Sequence, residues 1–273
     1  MGITAANECL NFRKMRKSVQ NLKVIANLRL NEDHHLLQLQ APGQLEDILP
    51  GQFANILADH SQSVFLRRPF SIHAVDYQKN IISILIKEIG EGTRSLAQTP
   101  VDSYLNVIYP LGNGFTVPAS KEKVLLVGGG CGVAPLLHLA QDLSKSFHDV
   151  NILLGARSAS DLVELDQYTK YGSLYTTTED GSHGTKGFVT DHPLFGAELD
   201  QFKRIYTCGP EPMMKAVAAK AKTRSVFCEV SLENTMACGF GVCLCCVTET
   251  INGHKCVCTD GPVFNINQLK WQI

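Results

Sequence analysis

The sequence predicts a β plus α/β protein: an antiparallel β-barrel, then a parallel α/β sheet, then a small cysteine-rich C-terminal module. Three observations predict it. Short period-two apolar runs fill the chain up to residue 108, a continuous apolar strand at 124–127 leads into a glycine turn, and six of the ten cysteines crowd into 238–258.

At 273 residues the chain is comfortable for two domains with a small appended module. With 44% hydrophobic and 19% charged residues it can bury ordinary cores. A net charge of −1 gives no global footprint for nucleic acid or a membrane surface, so neither is expected as a partner. No apolar run approaches the roughly 20 residues of a membrane span. Ten cysteines with no secretory leader fit a reducing cytoplasm, the expected location. Residues 1–20 carry Arg13, Lys14, Arg16 and Lys17 with little periodicity and are expected to form a solvated extension.

In the first domain, Leu22, Val24, Ala26, Leu28 and Leu30 alternate with Lys23, Asn27 and Arg29. Period two marks a half-buried strand. Similar runs follow at 37–41, 53–57, 64–74, 81–89 and 104–108, separated by turn residues such as Ala41-Pro42-Gly43 and Pro50-Gly51. Six closely spaced strands predict a small antiparallel barrel. Within it, Arg67-Arg68-Pro69-Phe70-Ser71 places cations, a flat ring and a hydroxyl on one strand. A flavin dinucleotide needs these groups: charge for the pyrophosphate, a packing face, and a hydrogen bond for the ring edge. Gly90-Glu91-Gly92-Thr93 then reads as a glycine turn with Thr93 as N-cap of a short helix whose free N–H groups would seat a phosphate.

Composition shifts at 118–123, and a domain boundary is expected near 119. Val124-Leu125-Leu126-Val127 has the apolar continuity of a buried parallel strand. It runs into Gly128-Gly129-Gly130-Cys131-Gly132-Val133-Ala134-Pro135 and then a helical pattern through Leu136, Leu139, Ala140 and Leu143. Strand, glycine turn and helix are the context of pyrophosphate binding, so the sheet reads as Rossmann-like and Gly128, Gly130 and Gly132 as dinucleotide candidates. The turn departs from G-x-G-x-x-G. The strand at 150–154 ends in Gly155-Ala156-Arg157, with no acid there to hold an NAD ribose, and Arg157 could meet a 2′-phosphate or solvent. Chemistry alone leaves NAD against NADP open. A later strand ends in Cys208-Gly209-Pro210, and strand ends are where such a sheet binds its ligand. Cys208 is thus the candidate to face a nicotinamide, with a buried small residue as the alternative.

In the C-terminal stretch CGFGVCLCCVTETINGHKCVC, Cys238, Cys243, Cys246 and Cys258 are separated by four, two and eleven residues. This is plant-type [2Fe–2S] spacing, three thiolates on a tight loop and a fourth from a later segment. Gly239 and Gly241 allow N–H groups to turn toward the sulfurs. Zinc ribbons usually pair two close C-x-x-C knuckles, and adjacent Cys245 and Cys246 make poor disulfide partners. Spacing alone leaves Cys256 and Cys258 both eligible, with Cys245 a further spare thiol. Nicotinamide takes two electrons as hydride, a cluster passes one, and a flavin handles both. A chain with all three is an electron converter whose second partner is another protein.

With these motifs in order, the sequence from about residue 20 to the C-terminus resembles the electron-transfer subunits of B-type, NAD-dependent dihydroorotate dehydrogenases, a ferredoxin-reductase-like family. The residues that carry the resemblance are Arg68-Pro69-Phe70-Ser71, Gly92-Thr93, Pro110-Leu111-Gly112-Asn113-Gly114-Phe115, the glycine turn, Cys208-Gly209-Pro210, the cysteine loop and Cys258-Thr259-Asp260-Gly261-Pro262-Val263-Phe264. It implies FAD on Arg68, Pro69, Phe70 and Ser71, on the strand residues Leu85, Ile86 and Lys87, and on Gly92 and Thr93. It favours Cys258 as fourth ligand, ahead of the acidic-Gly-Pro-Val-Phe segment, and NAD as the nucleotide. The implied partner is an FMN-containing catalytic subunit oxidising dihydroorotate to orotate, two of each subunit in a heterotetramer. Electrons would run FMN, cluster, FAD, NAD+, in pyrimidine biosynthesis. The expected divisions are 1–20 extension, 21–118 FAD barrel, 119–225 NAD domain and 226–273 cluster module. Subunits coupling NAD(P)H to ferredoxin, sulfur or hydrogenase partners share this architecture. A zinc-stabilised interaction module would differ in being colourless.

Overall fold

The structure, a computed structural model, describes residues 17–58 and 64–273. Of the basic cluster, Arg13, Lys14 and Arg16 lie outside the described residues.

Six antiparallel strands close into a barrel: β1 (Ser18–Arg29), β2 (His34–Gln40), β3 (Phe53–Ile56), β4 (Arg68–Asp76), β5 (Ile81–Lys87) and β6 (Tyr104–Leu111), in the spatial order β1-β2-β5-β4-β3-β6. Leu22, Val24, Leu37, Leu39, Ile84 and Ile86 point into its core. The alternation expected along β1 holds only to Val24. There the β1–β2 register slips by a residue, which turns Leu28 out to solvent and Asn27 inward. Asn27 then donates from Nδ2 to the carbonyls of Ala97 and Thr99, at 2.8 and 2.9 Å. The strand expected from residue 64 starts instead at Arg68, with Phe65 and Leu66 exposed before it.

Helix α1 (Glu91–Ala97) follows β5 with Gly90 as its N-cap, not Thr93. Thr93 occupies the third position, where its Oγ1 accepts from the N–H groups of Ile89 and Gly90 at 2.9 and 3.0 Å. The hydroxyl closes the turn from inside the helix.

The chain then builds β7 (Lys123–Gly129), α2 (Ala134–Lys145), β8 (Asp149–Ala156), α3 (Leu165–Tyr168), β9 (Ser173–Thr178), β10 (Thr185–Lys186), β11 (Arg204–Cys208), α4 (Glu211–Thr223) and β12 (Phe227–Ser231). After the hairpin β13 (Val247–Thr250) and β14 (Gly253–Cys256) comes β15 (Val263–Asn265). The large sheet has the order β10-β9-β8-β7-β11-β12-β15, parallel except for the antiparallel edge strand β15. Both faces are covered, which is why β7 reads as continuously apolar. Val124 and Leu126 pack with α2, Leu125 and Val127 with α4. Because β12 and β15 extend this sheet, the boundary expected at residue 225 falls inside it. No helix among the described residues is long and apolar enough to cross a membrane.

Candidate functional site

The flavin motif lies where two barrel strands part. β4 and β5 are laddered only from Ile72 and Ile84 to Asp76 and Ile81. Before Ile72, β4 pairs with β3; beyond Ile84, β5 pairs with β2. Arg68, Pro69, Phe70 and Ser71 thus form one lip of a groove, and Leu85, Ile86 and Lys87 the other. The side chains of Leu85 and Ile86 are buried in the cores, so they can offer the groove only backbone groups. Lys87 Nζ stands 3.1 Å from Asp33 Oδ2. At one end, a Cβ on Gly92 would lie 2.7 Å from Arg68 Nε. The missing side chain lets the guanidinium lie across the first turn of α1, a cation beside helix N–H groups where a pyrophosphate would sit. Arg67 is otherwise engaged, donating to the Asn106 carbonyl at 2.8 Å.

Across the C-terminal ends of β7, β8 and β9 runs a cleft of about 530 Å³, lined by Gly129, Gly130, Gly155, Thr177, Phe188 and Met213 among others. The three candidate glycines have different surroundings. Gly130 lines the cleft at φ 55° with open space where a Cβ would be. Gly128 sits within β7 against Leu136 and Val133, allowing strand and α2 to pack closely. A Cβ on Gly132 would meet Gly209 N and Cα at 2.3 Å, so this glycine lets the turn approach the β11–α4 turn. A cavity of about 240 Å³ lies there, bordered by Gly132, Gly209 and Glu233.

Cys208 is wholly buried, and its thiol donates weakly to Glu233 Oε1 at 3.9 Å. Burial, with the nearby Glu233 charge, pushes the thiol well above its ordinary range, which disfavours the thiolate form. The Glu233 side chain opens to solvent, yet protein crowded about its carboxyl raises that group too. Glu233 and the exposed aromatic Phe188 escaped sequence reasoning. Neither has a local motif, and each reaches the site only because its loop leaves the sheet beside a ligand-binding strand end. His73 escaped as well: buried on β4, its Nδ1 contacts the Ala134 carbonyl at 2.8 Å and its Nε2 contacts Glu164 Oε2 at 2.7 Å, fastening barrel to α2.

The cysteine loop packs on the barrel at β3 and β6, against Asn55 and Leu111. Gly239 and Gly241 take φ of 80° and 88°, and Cβ atoms on them would strike Asn55 Nδ2 and Thr259 Cγ2. The tight loop aims its N–H groups at sulfur: Phe240 N–H donates to Cys238 Sγ at 3.5 Å and Cys258 N–H to Cys246 Sγ at 3.4 Å. Burial of Cys238 works to raise its thiol. The donors Phe240, Cys243 and Val242 outweigh that and bring it down to about 6. Cys258 is pushed up to about 12 by burial and by its hydrogen bond with Cys246.

Among the described residues no three Cys, His, Asp or Glu side chains converge as for a single metal ion. The thiols instead hydrogen-bond in two sets, Cys238 with Cys243 and Cys246 with Cys258, and Gly241 N–H reaches Cys258. Two thiol pairs fit a binuclear cluster in which each iron takes two cysteines. Cys245 is exposed and Cys256 partly so.

The cluster module is tied to the barrel by Asn113, which donates from its backbone to the Gly261 carbonyl at 2.6 Å and from Nδ2 to the Asp260 carbonyl at 2.9 Å. Asn55 on β3 donates to the Cys238 carbonyl at 3.2 Å. On the adjacent strand β4, Pro69 is the ladder partner of Asn55. The cluster loop and the flavin motif are therefore one strand apart.

Comparison with known proteins agrees with this arrangement. Residues 233–270 match the iron–sulfur cluster binding domain of dihydroorotate dehydrogenase B, and residues 126–219 match an oxidoreductase NAD-binding domain. The dihydroorotate dehydrogenase B (NAD(+)) electron transfer subunit of Shouchella clausii is 36% identical over 261 residues, covering 93% of this chain and 99% of its own. That of Fusobacterium nucleatum is 36% identical over 252 residues, covering 90% and 96%. A solved structure of an NADH-dependent reduced ferredoxin-NADP oxidoreductase superposes with TM-score 0.82 at 30% identity, covering 92% of this chain and 90% of that one. A ferredoxin reductase of carbazole 1,9a-dioxygenase shares the fold, with TM-score 0.69 at 22% identity over 78% of this chain and 68% of its own. The barrel with its parted strands, the nucleotide cleft, the paired thiols and near full-length relatives place one conclusion beyond the fold: this chain belongs to the family of electron-transfer subunits of dihydroorotate dehydrogenase B.

Proposed function

We propose that this chain carries electrons from a dihydroorotate-oxidising catalytic subunit, by way of a [2Fe–2S] cluster and FAD, to NAD+ in pyrimidine biosynthesis, with the catalytic subunit holding FMN and two copies of each subunit assembling. The observation that carries the reading is the Asn55 link, which sets the Cys238 loop one strand from Pro69 of the flavin motif. Strands in a sheet stand about 4.8 Å apart. The chain therefore keeps its one-electron and two-electron sites close without a mobile carrier.

When bound, the flavin exchanges hydride with nicotinamide and single electrons with the cluster. The protein's own contribution is positional. Arg68 and the first turn of α1, with Gly92 and Thr93, neutralise and orient a pyrophosphate. Phe70 and Ser71 face the backbone of Leu85, Ile86 and Lys87 across the groove and hold the ring edge. Gly130 opens the cleft for the dinucleotide, Gly128 and Gly132 keep the turn tight against α2 and β11, and Glu233 borders the nicotinamide end. Cys208 holds Glu233 from behind and does not itself react. Cys238, Cys243, Cys246 and Cys258 are the cluster ligands. Residues 21–118, 119–225 and 226–273 are the corresponding functional units, the last sharing β12 and β15 with the nucleotide sheet.

No group of the described residues supplies both a base and a flavin face to an organic substrate, and we therefore assign dihydroorotate oxidation to the partner. The test is to assay the FAD- and cluster-loaded chain alone and with its catalytic subunit. NADH-driven dye reduction by the chain alone, and dihydroorotate oxidation only after the partner is added, are expected. Dihydroorotate oxidation by the isolated chain, or electron delivery to ferredoxin with none from dihydroorotate when the partner is present, would overturn it.

A further inference from the structure

We propose that Glu179, two residues beyond Thr177 on the wall of the same cleft, is the residue by which this chain selects NADH over NADPH. The inference rests on the nucleotide reading of the cleft and deepens it. In sequence the acid expected at the end of the second strand is missing, and Arg157 stands there instead. The structure shows where an acid is supplied.

The direction of the bound nucleotide follows from the layout. Its nicotinamide must reach the barrel side, near Glu233 and the glycine turn, and its diphosphate lies at Gly130. The adenosine half is left to run across the ends of β8 and β9, where Arg157, Asp161, Glu179 and Phe188 line the cleft. Glu179 is the residue just past β9, and its N–H donates to the Ala156 carbonyl at 3.1 Å, continuing the β8–β9 ladder by one rung. This fixes its backbone beside the Arg157 position.

The charges at this end are not equivalent. Arg157 Nε lies 3.7 Å from Asp161 Oδ2, so its charge is already answered and its side chain is mostly in solvent. Glu179, by contrast, has no hydrogen bond or ion pair to its carboxylate among the described residues, and it is exposed to the cleft.

Thr177 adds an independent sign of a ligand. Its side chain is wholly buried at the cleft wall beneath Gly155, yet its Oγ1 has no partner. A buried hydroxyl left unpaired is costly unless something else satisfies it, and Thr177 is one of the residues that line the cleft. A ribose presents vicinal hydroxyls that a carboxylate can accept and a threonine can answer. A 2′-phosphate would bring about two negative charges against Glu179, with Arg157, already paired with Asp161, as the cation at this end of the cleft.

The experiment compares kcat/KM for NADH and NADPH in dye reduction by the full FAD-loaded chain, in wild type and in Glu179→Gln, Glu179→Arg, Arg157→Ala and Thr177→Val. Glu179→Gln is expected to move the NADPH/NADH ratio about tenfold toward NADPH, mainly through KM, and Glu179→Arg further still. Arg157→Ala is expected to change the ratio less than about threefold. Thr177→Val should raise KM for both nucleotides while raising the Tm of the nucleotide-free protein, because it removes an unpaired buried hydroxyl. A ratio unmoved in both Glu179 variants, or moved chiefly by Arg157→Ala, overturns the proposal while leaving the nucleotide reading standing. A wild-type chain that oxidises neither nucleotide overturns both.

Discussion

At the scale of single residues, the cluster ligands are decided by one position. Cys256 and Cys258 are separated only by Val257, but their environments differ. Cys258 is buried, hydrogen-bonded to Cys246 and met by the Gly241 N–H, whereas Cys256 sits at the end of β14 with its N–H turned to Asp260 at 2.9 Å. Thiolate ligands need sulfur-directed N–H donors and a place in the cluster's own pocket. Cys258→Ser is therefore expected to lose both irons and both acid-labile sulfides from the purified chain, and Cys256→Ser to retain them. Iron and sulfide analysis showing the reverse would make Cys256 the ligand. The sequence alone left this pair unresolved, since spacing admits either thiol.

Among elements, the turn after β7 depends on a neighbour far away in sequence. Gly132 permits contact with the backbone of Cys208 and Gly209, where any Cβ would lie 2.3–2.4 Å from main-chain atoms. Backbone cannot swing aside as a side-chain tip can, so overpacking here must separate the two turns. Gly132→Ala should destabilise the protein by roughly 1–3 kcal/mol and raise KM for NADH while cluster iron stays unchanged. A denaturation midpoint and KM equal to wild type would show that this contact is slack. Gly130, with open space at its Cβ position, differs in kind: what it contributes is a left-handed φ of 55°. Both were legible as glycines of a nucleotide turn, but their separate tasks were not.

For the whole molecule, the cluster loop is also the exposed end of the electron path. Phe240, Val242 and Leu244 stand 44%, 75% and 64% exposed around the cysteines, an apolar set on a loop already held from within by Asn55. Exposed apolar side chains clustered at a redox centre suit a protein partner that must approach closely. A charge at Phe240 or Val242 is expected to weaken binding of the catalytic subunit by about tenfold or more, with NADH-driven dye reduction within about twofold of wild type. Unchanged complex formation in both Phe240→Asp and Val242→Asp, measured by titration of the two subunits, would move the docking surface elsewhere.

The sequence by itself determined the three-part order, the barrel and the parallel sheet, the cysteine framework and the two nucleotide motifs. Each of these is written in local spacing: period two, an apolar run into glycines, thiols four and two residues apart. It misread β1 past Val24, because a bulge is set by the partner strand, and it misplaced the helix cap at Thr93, where the hydroxyl folds back from the third position. Only the tertiary structure decided that β12 and β15 join the nucleotide sheet, that Asn55 brings Cys238 beside the flavin strand, and that Glu233, Thr177 and Glu179 belong to the cleft. These are contacts between segments tens to hundreds of residues apart, and they follow from which faces the packed cores leave open, which no local pattern records.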